Sequence, residues 1–177
     1  RRGGCGVGDS ADNLTEVRHL DTKHTYELAI TWTGNTGSGT SSHRAYSRDH
    51  ELSAAGVPVI AASADPAFRG DPARWNPEQL FVASIAQCHM LWYLSLAAAE
   101  GIVVTAYEDH PTGLMTEEPG GAGQFTRVTL HPVVTITPDS DAARAEALLH
   151  RVGDYCFIAR SVKTPVYHDV TVQRATT

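Results

Sequence analysis

Two cysteines in different surroundings are the residues of this sequence best suited to carry chemistry. Cys88 lies in the middle of a long apolar stretch, residues 76–101, whereas Cys156 lies in a short mixed segment, residues 155–161. A buried free cysteine usually acts only as a small apolar side chain. A second thiol can, however, resolve an oxidised first one. The pair therefore indicates thiol redox chemistry, with structural packing as the simpler alternative.

A reactive thiol needs a cation nearby, because a free cysteine has a pKa of about 8.5 and is mostly protonated at neutral pH. His89 follows Cys88 directly, but neighbours on a helix point about 100° apart. An arginine is the more effective partner because it is always charged. Glu78 precedes Cys88 by ten residues, or roughly 15 Å along a helix, so it could hold such an arginine rather than touch the thiol. Alternatively, Glu78 only complements the dipole of the helix in whose first turn it lies.

A long helix must position Cys88. Asn76 is a helix cap, Pro77 fits the first helical position, Gln79 completes a capping box, and Gly101 is a terminator. The stretch from 80 to 99 is apolar on most sides. We expect it to lie at the centre of a soluble core or of a dimer, rather than to span a membrane.

The remaining elements predict an α+β fold, because strands and helices do not alternate strictly. Predicted strands cover residues 26–32, 44–52, 57–62, 102–107, 125–137 and 166–172. A second helix is predicted from a cap at Asp139 or Ser140 to about Gly153. We interpret residues 1–20, with Cys5, as a disordered N-terminal extension and residues 21–177 as a single domain.

Composition excludes several classes of protein. The chain has 177 residues and a net charge of -6, which argues against a nucleic-acid partner. Its three cysteines do not form a disulfide scaffold, and no C-x-x-C or H-E-x-x-H spacing indicates a metal site. No secretion signal is recognisable at the start of the sequence, so we expect a cytoplasmic protein.

Residues 76–83, Asn-Pro-Glu-Gln-Leu-Phe-Val-Ala, followed by Cys88, resemble the N-P-E-Q-L…C signature of the OsmC/Ohr family. This family contains the osmotically inducible protein C and the organic hydroperoxide resistance proteins. The ten-residue spacing from glutamate to cysteine is the same as in the family. A second cysteine before the final strand also matches the family pattern. The resemblance covers about residues 24–174, and residues 63–71 and 88–94 resemble an OsmC-like branch distinct from OsmC and Ohr proper.

The resemblance implies an intertwined homodimer, in which antiparallel-type sheets from both chains wrap around two long central helices. It also implies a thiol-dependent peroxidase that reduces organic hydroperoxides and, less efficiently, hydrogen peroxide, in defence against oxidative stress. Such an enzyme needs no cofactor and no metal. An external dithiol regenerates it, and in the Ohr branch this reductant is often a lipoylated protein.

The resemblance further implies roles for individual residues. Cys88 corresponds to the peroxidatic thiol, Cys156 to the resolving thiol, and Glu78 to the glutamate that orients a catalytic arginine. The candidates for that arginine are Arg44 and Arg48, with Arg74 as a weaker third. Apolar residues suited to an organic tail, though equally typical of a core, are Phe81, Ile85, Trp92 and Phe157.

Two other functions remain open from the sequence. The same fold could bind an apolar small molecule and use its cysteines only structurally. A cysteine-dependent hydrolase acting through Cys88 and a histidine is the third hypothesis. The chain also departs from the family at residues 157–161, where Phe-Ile-Ala-Arg-Ser replaces the usual proline- and serine-containing run. This difference leaves the reductant and the substrate range open.

Overall fold

The computed structural model describes residues 22–176, so the predicted extension at 1–20 and Cys5 lie outside the described residues. The strands of the described part are β1 Ala29–Trp32, β2 His50–Ser53, β3 Ile60–Ala62, β4 Val104–Asp109, β5 Thr112–Glu117, β6 Gly123–Leu130, β7 Pro132–Ile136, β8 Val166–His168 and β9 Thr171–Arg174. Its α-helices are α1 Pro77–Ala99, α2 Ala142–Arg151 and α3 Phe157–Arg160. Single 3₁₀ turns cover Pro66–Phe68 and Val152–Asp154.

The strands of the described residues form three sheets of three strands each, in the orders β1-β2-β3, β4-β7-β9 and β5-β6-β8. The first sheet is antiparallel throughout. In the other two sheets one pair is antiparallel, and the added C-terminal strand runs parallel to its neighbour. The predicted α+β fold class is confirmed.

The start of α1 confirms the predicted capping box. The side chain of Asn76 accepts a hydrogen bond from the Gln79 amide at 2.8 Å, and the Gln79 side chain accepts one from the Asn76 amide at 3.2 Å. Pro77 occupies the first helical position, where its missing N–H leaves no bond unmade. The helix ends at Ala99, and Gly101 then turns the chain with φ 74°.

One stripe of α1 is buried, and its members recur every fourth residue: Ile85, His89, Tyr93 and Ala97. This stripe packs against two clusters of buried residues. The cluster around the C-terminal half of α1 includes residues of β7 and α2, and the cluster around its N-terminal half includes Val128 and Leu130 of β6. By length and composition alone α1 could cross a membrane, with a mean hydropathy of 1.4. Much of its remaining surface is uncovered within the described chain.

The β1-β2-β3 sheet also leaves most of its large apolar side chains exposed. All four residues of β1 are exposed, and Tyr26, just before it, is 87% exposed. The other large apolar side chains exposed in this part of the chain are Leu28, Ile30, Trp32, Val57, Val59 and Ile60. A strand face of this composition is usually covered in a stable protein.

Several predicted strand boundaries are wrong. The strand predicted from 44 begins only at His50. Before it the chain forms an irregular loop, in which the Ser47 amide donates to the Gly34 carbonyl and the Asp49 carbonyl accepts from the Thr33 amide. Likewise, the strand predicted from 57 begins at Ile60, and that from 102 begins at Val104 and continues to Asp109.

The C-terminal half also contains more elements than predicted. The strand predicted at 125–137 is two strands that break at His131, one in each of two sheets, and the strand predicted at 166–172 breaks likewise at Asp169. Strand β5, which contains Gly113, and the four-residue helix α3 were not predicted. The cap of α2 is Asp141, whose side chain accepts from the Arg144 amide at 3.1 Å, rather than Asp139 or Ser140. Ser140 is buried and instead accepts a hydrogen bond from the Val103 amide.

Candidate functional site

The fold brings the two predicted redox cysteines together. Cys88 lies on α1 and is partly buried, and Cys156 immediately precedes α3 and is fully buried. Burial, and then hydrogen bonding to Cys88, raises the pKa of Cys156 to about 11. Cys156 is therefore a protonated thiol at neutral pH and can donate its proton toward the Cys88 sulfur.

The position of Cys156 is fixed by its backbone and by its own sulfur. Its amide donates to the Val152 carbonyl at 3.0 Å, and its carbonyl accepts from the Arg160 amide at 3.0 Å. Its Sγ accepts a hydrogen bond from the Ala159 amide at 3.5 Å, so the thiol is the N-cap of α3. Sulfur is a weak acceptor, and this cap is correspondingly weaker than one made by an oxygen.

A groove with a volume of about 930 Å³ opens beside Cys88. This volume lies in the range of sites that bind small organic molecules. Its apolar lining consists of Tyr26, Leu91, Trp92, Phe157 and Ile158, and its polar lining of Thr22, His24, Ser84 and Gln87. The site therefore combines a thiol with a mostly apolar surface.

Of the four apolar residues that the sequence suggested for an organic tail, two line this groove. The Trp92 ring meets the Phe157 ring edge-on, with centroids 5.4 Å apart. Phe81 and Ile85 lie elsewhere: Phe81 stacks on Phe125, and Ile85 is fully buried in the core. Sequence reasoning missed Leu91 and Ile158, which flank Trp92 and Phe157 along the chain, and Tyr26, which it assigned to a strand.

Glu78 lies away from the thiols. It lines a second cavity of about 420 Å³ together with Asp65, Trp75 and residues of β5 and β6. Its Oε2 atom is buried and has no hydrogen-bond partner among residues 22–176. No arginine of the same part of the chain lies within ion-pair distance of this carboxylate. A buried carboxylate oxygen without a hydrogen bond is costly, so this atom is a position where a donor would be stabilising.

The three candidate arginines are not brought to the thiols by the described chain. Arg48 donates to the carbonyls of His43 and Tyr46, both at 2.9 Å, and lies 4.3 Å above the Tyr46 ring. Arg74 pairs with Asp49 at 3.9 Å and Asp71 at 3.5 Å. Arg44 is exposed. None of the three is part of the lining of the groove, and the identity of the catalytic arginine stays a prediction.

His89, the sequence neighbour of Cys88, lies in the core. It is 1% exposed, and its ring stacks on that of His168 with centroids 4.6 Å apart. Its Nδ1 lies 3.4 Å from the Tyr107 hydroxyl. Burial, and then the proximity of His168, lowers the pKa of His89 to about 4. The spacing of His89 four residues from Ile85 and from Tyr93 is the sequence pattern that indicates a position in the core.

Among residues 22–176, no group of three or more histidine, cysteine or acidic side chains is arranged to hold a metal ion.

Comparisons with known proteins agree with this fold. The family model described as OsmC-like protein matches residues 70–171. An OsmC-like protein of unknown function from Vibrio cholerae is 31% identical, with a TM-score of 0.75 over 84% of this chain and 99% of that chain. An organic hydroperoxide resistance protein from Elizabethkingia anophelis is 17% identical, with a TM-score of 0.60 over 87% of this chain and 100% of that chain.

A third structure, the organic hydroperoxide resistance protein OhrB of Bacillus subtilis, is 19% identical, with a TM-score of 0.55 over 84% of this chain and 98% of that chain. The last two similarities concern the fold alone. A comparison with curated proteins found no match. The family model spans more than half of the described residues, and the Vibrio protein matches over most of both chains. The chain belongs to the OsmC-like protein family.

Proposed function

We propose that the protein is a thiol-dependent peroxidase that reduces organic hydroperoxides through Cys88 and Cys156. The observation that carries this proposal is the pairing of the two thiols beside an apolar groove. Cys88 is accessible from the groove, and Cys156 is buried behind it with a pKa of about 11. The two thiols therefore do not compete as nucleophiles, and each fits one of the two successive roles.

The proposed reaction begins with Cys88 as a thiolate, since only that form attacks at a useful rate. Its sulfur bonds to the terminal peroxide oxygen, the O–O bond breaks, and the leaving alkoxide takes up a proton to become an alcohol. Cys88 is thereby oxidised to a sulfenic acid and the hydroperoxide is reduced. The Cys156 sulfur then attacks the Cys88 sulfur. A disulfide forms, and the sulfenic hydroxyl leaves with the thiol proton as water.

A dithiol completes the proposed cycle. It attacks the disulfide, forms a mixed disulfide, and is itself oxidised as both protein thiols are released. A lipoylated protein fits this role because its dithiol is carried on an apolar arm, and the groove is apolar. The reducing cytoplasm is the proposed compartment, because it keeps both thiols reduced between turnovers.

A homodimer is the proposed functional unit. The exposed apolar residues of β1 and the uncovered faces of α1 support a second chain as their cover. The buried, unpaired Oε2 of Glu78 supports an arginine supplied across such an interface, and Arg44 and Arg48 are the candidates. An arginine held between Glu78 and the Cys88 of the other chain would stabilise the thiolate.

Peroxide consumption with a dithiol tests the proposal. The wild-type protein should reduce cumene hydroperoxide faster than hydrogen peroxide in the presence of dihydrolipoamide. Cys88→Ser should abolish turnover, and Cys156→Ser should allow a single oxidation of Cys88. Retained turnover in Cys88→Ser would refute the assignment.

A binder of apolar small molecules is the second candidate, and the size and apolar lining of the groove favour it. In that case the groove would take up an apolar fluorophore, and peroxide would leave the thiols unchanged. The hydrolase hypothesis has less support, since His89 is buried in the core and its ring stacks on His168. Among the described residues, the histidine that lines the groove is His24. Release of acid from an ester without peroxide would identify such an enzyme.

A further inference from the structure

The short helix α3 joins the resolving thiol to the wall of the groove. Cys156 is the N-cap of this helix, and the next two residues, Phe157 and Ile158, line the groove beside Cys88. A change in the side chain or in the redox state of Cys156 therefore acts directly on the apolar wall.

Helix α3 is short and exposed, and the Cys156 cap adds to the few hydrogen bonds that hold it. It has only four residues, and none of them is buried. Phe157 is 66% exposed, and its ring meets the Trp92 ring edge-on. Arg160 donates to the Asp154 carbonyl at 3.0 Å, and Ser161 donates to the Phe157 carbonyl at 2.7 Å. A helix this short has little intrinsic stability, so each cap hydrogen bond contributes strongly to its population.

We propose that Cys156 is a positioning residue as well as a resolving one: by capping α3 it holds Phe157 and Ile158 as the wall that makes the site prefer organic hydroperoxides to hydrogen peroxide. This inference rests on the proposed peroxidase function. Hydrogen peroxide has no tail and gains nothing from the wall. An organic hydroperoxide buries its tail against Phe157 and Ile158, and its rate depends on their placement.

Two variants of Cys156 separate the capping role from the resolving role. Cys156→Ser keeps an N-cap, because a serine oxygen accepts from the Ala159 amide, and Cys156→Ala removes it. Neither variant can form the disulfide. The rate constant for oxidation of Cys88 is measured in single turnovers with cumene hydroperoxide and with hydrogen peroxide, the sulfenic acid being trapped by dimedone and counted by intact mass.

The readout is the ratio of the two rate constants, since a general effect on Cys88 cancels in it. We expect Cys156→Ser to keep the preference for cumene hydroperoxide and Cys156→Ala to lower it about twofold, the low end of the effect of losing an N-cap, because sulfur is a weak acceptor. Equal ratios in the two variants would overturn the positioning role and leave the peroxidase proposal intact. If neither peroxide oxidised Cys88 in the wild-type protein, the proposed function itself would be overturned.

Phe157→Ala is a further variant, which tests the proposal even if Cys156→Ala does not fold. Because Phe157 is mostly exposed, its truncation leaves the core intact. We expect the ratio of the rate constant for cumene hydroperoxide to that for hydrogen peroxide to fall about fivefold, the effect of burying about 40 Å² less apolar surface. An unchanged ratio in Phe157→Ala would contradict the role of the wall.

Discussion

Cys156 is hydrogen-bonded to Cys88, and burial together with this bond raises the pKa of the Cys156 thiol to about 11. Cys88 lies within α1, and Cys156 lies at the start of α3. This relationship gives the two thiols different chemistry in one site. Cys88 faces the groove and can meet a peroxide. Cys156 lies behind it, and in the reaction that we propose it acts as a nucleophile only after Cys88 has been oxidised.

The first prediction concerns the accessibility of the two thiols. Iodoacetamide at pH 8 should alkylate Cys88 and leave Cys156 unmodified, because Cys156 is buried and protonated below pH 11. Peptide mass spectrometry after a short exposure measures the two sites separately. Cys88→Ser is the control, and it should take up no label in residues 22–176. Preferential labelling of Cys156 would contradict the assigned roles.

The second prediction concerns stability at low pH. His89 has a folded-state pKa of about 4, below its ordinary value of 6.5, so the folded protein binds fewer protons than the unfolded chain between these values. The stabilisation of the folded state by neutral His89 is fully present above pH 6.5 and is lost as the pH falls through 4. From the shift, the free energy of unfolding should fall by about 3 kcal/mol over this interval.

Urea unfolding at pH 7 and at pH 4.5 measures this effect. His89→Gln should show a shallower decline than the wild-type protein, although its stability at pH 7 is lower because a packed ring is lost. His43→Gln is the matched control, since His43 is exposed. If His89→Gln declines as steeply as the wild-type protein, another group is responsible for the pH dependence.

The third prediction concerns the start of α1. Asn76→Ala removes the acceptor for the Gln79 amide and the donor to Asp65, which lies 3.2 Å from Asn76 Nδ2. We expect a loss of about 1–2 kcal/mol in the free energy of unfolding. Asn76→Ser keeps the cap and loses only the contact with Asp65, so it should be the milder change. Equal losses would show that the cap contributes little here.

The fourth prediction concerns the proposed dimer. Ile30→Glu places a charge on the exposed apolar side of β1, whereas Thr31→Glu places it on the other side, because side chains alternate along a strand. Sedimentation should find a dimer for the wild-type protein and for Thr31→Glu, and a monomer for Ile30→Glu. A monomeric wild-type protein, or a dimer that tolerates Ile30→Glu, would contradict the proposed interface.

The parts of the fold that local chemistry determines could be predicted from the sequence. The capping box at Asn76 and Gln79 acts within four residues, so it marked the start of α1 correctly. The breaks in the C-terminal strands depend instead on which sheet each segment joins. Pro132, directly after His131, is a local signal for the first break, because a proline fits the first residue of a strand, whereas the break at Asp169 interrupts the alternation of apolar residues without such a signal.

The two thiols of the candidate site could be identified from the sequence, but most of the groove lining and the geometry could not. The sequence indicated Cys88 and Cys156 as a pair, and the approach of the two thiols depends on the packing of α3 against α1, which is a long-range effect. The role of Glu78 with Arg44 or Arg48 stays a prediction, because its buried oxygen has no hydrogen-bond partner among residues 22–176.

The measurement that tests the central claim most directly is the intact mass of the reduced protein after titration with cumene hydroperoxide. We expect one product, lighter by two hydrogens, that a dithiol reverses and that is absent from both Cys88→Ser and Cys156→Ser. Peptide mapping should assign the new bond to Cys88 and Cys156. An unchanged mass with excess peroxide would contradict the account and favour a structural role for the thiols.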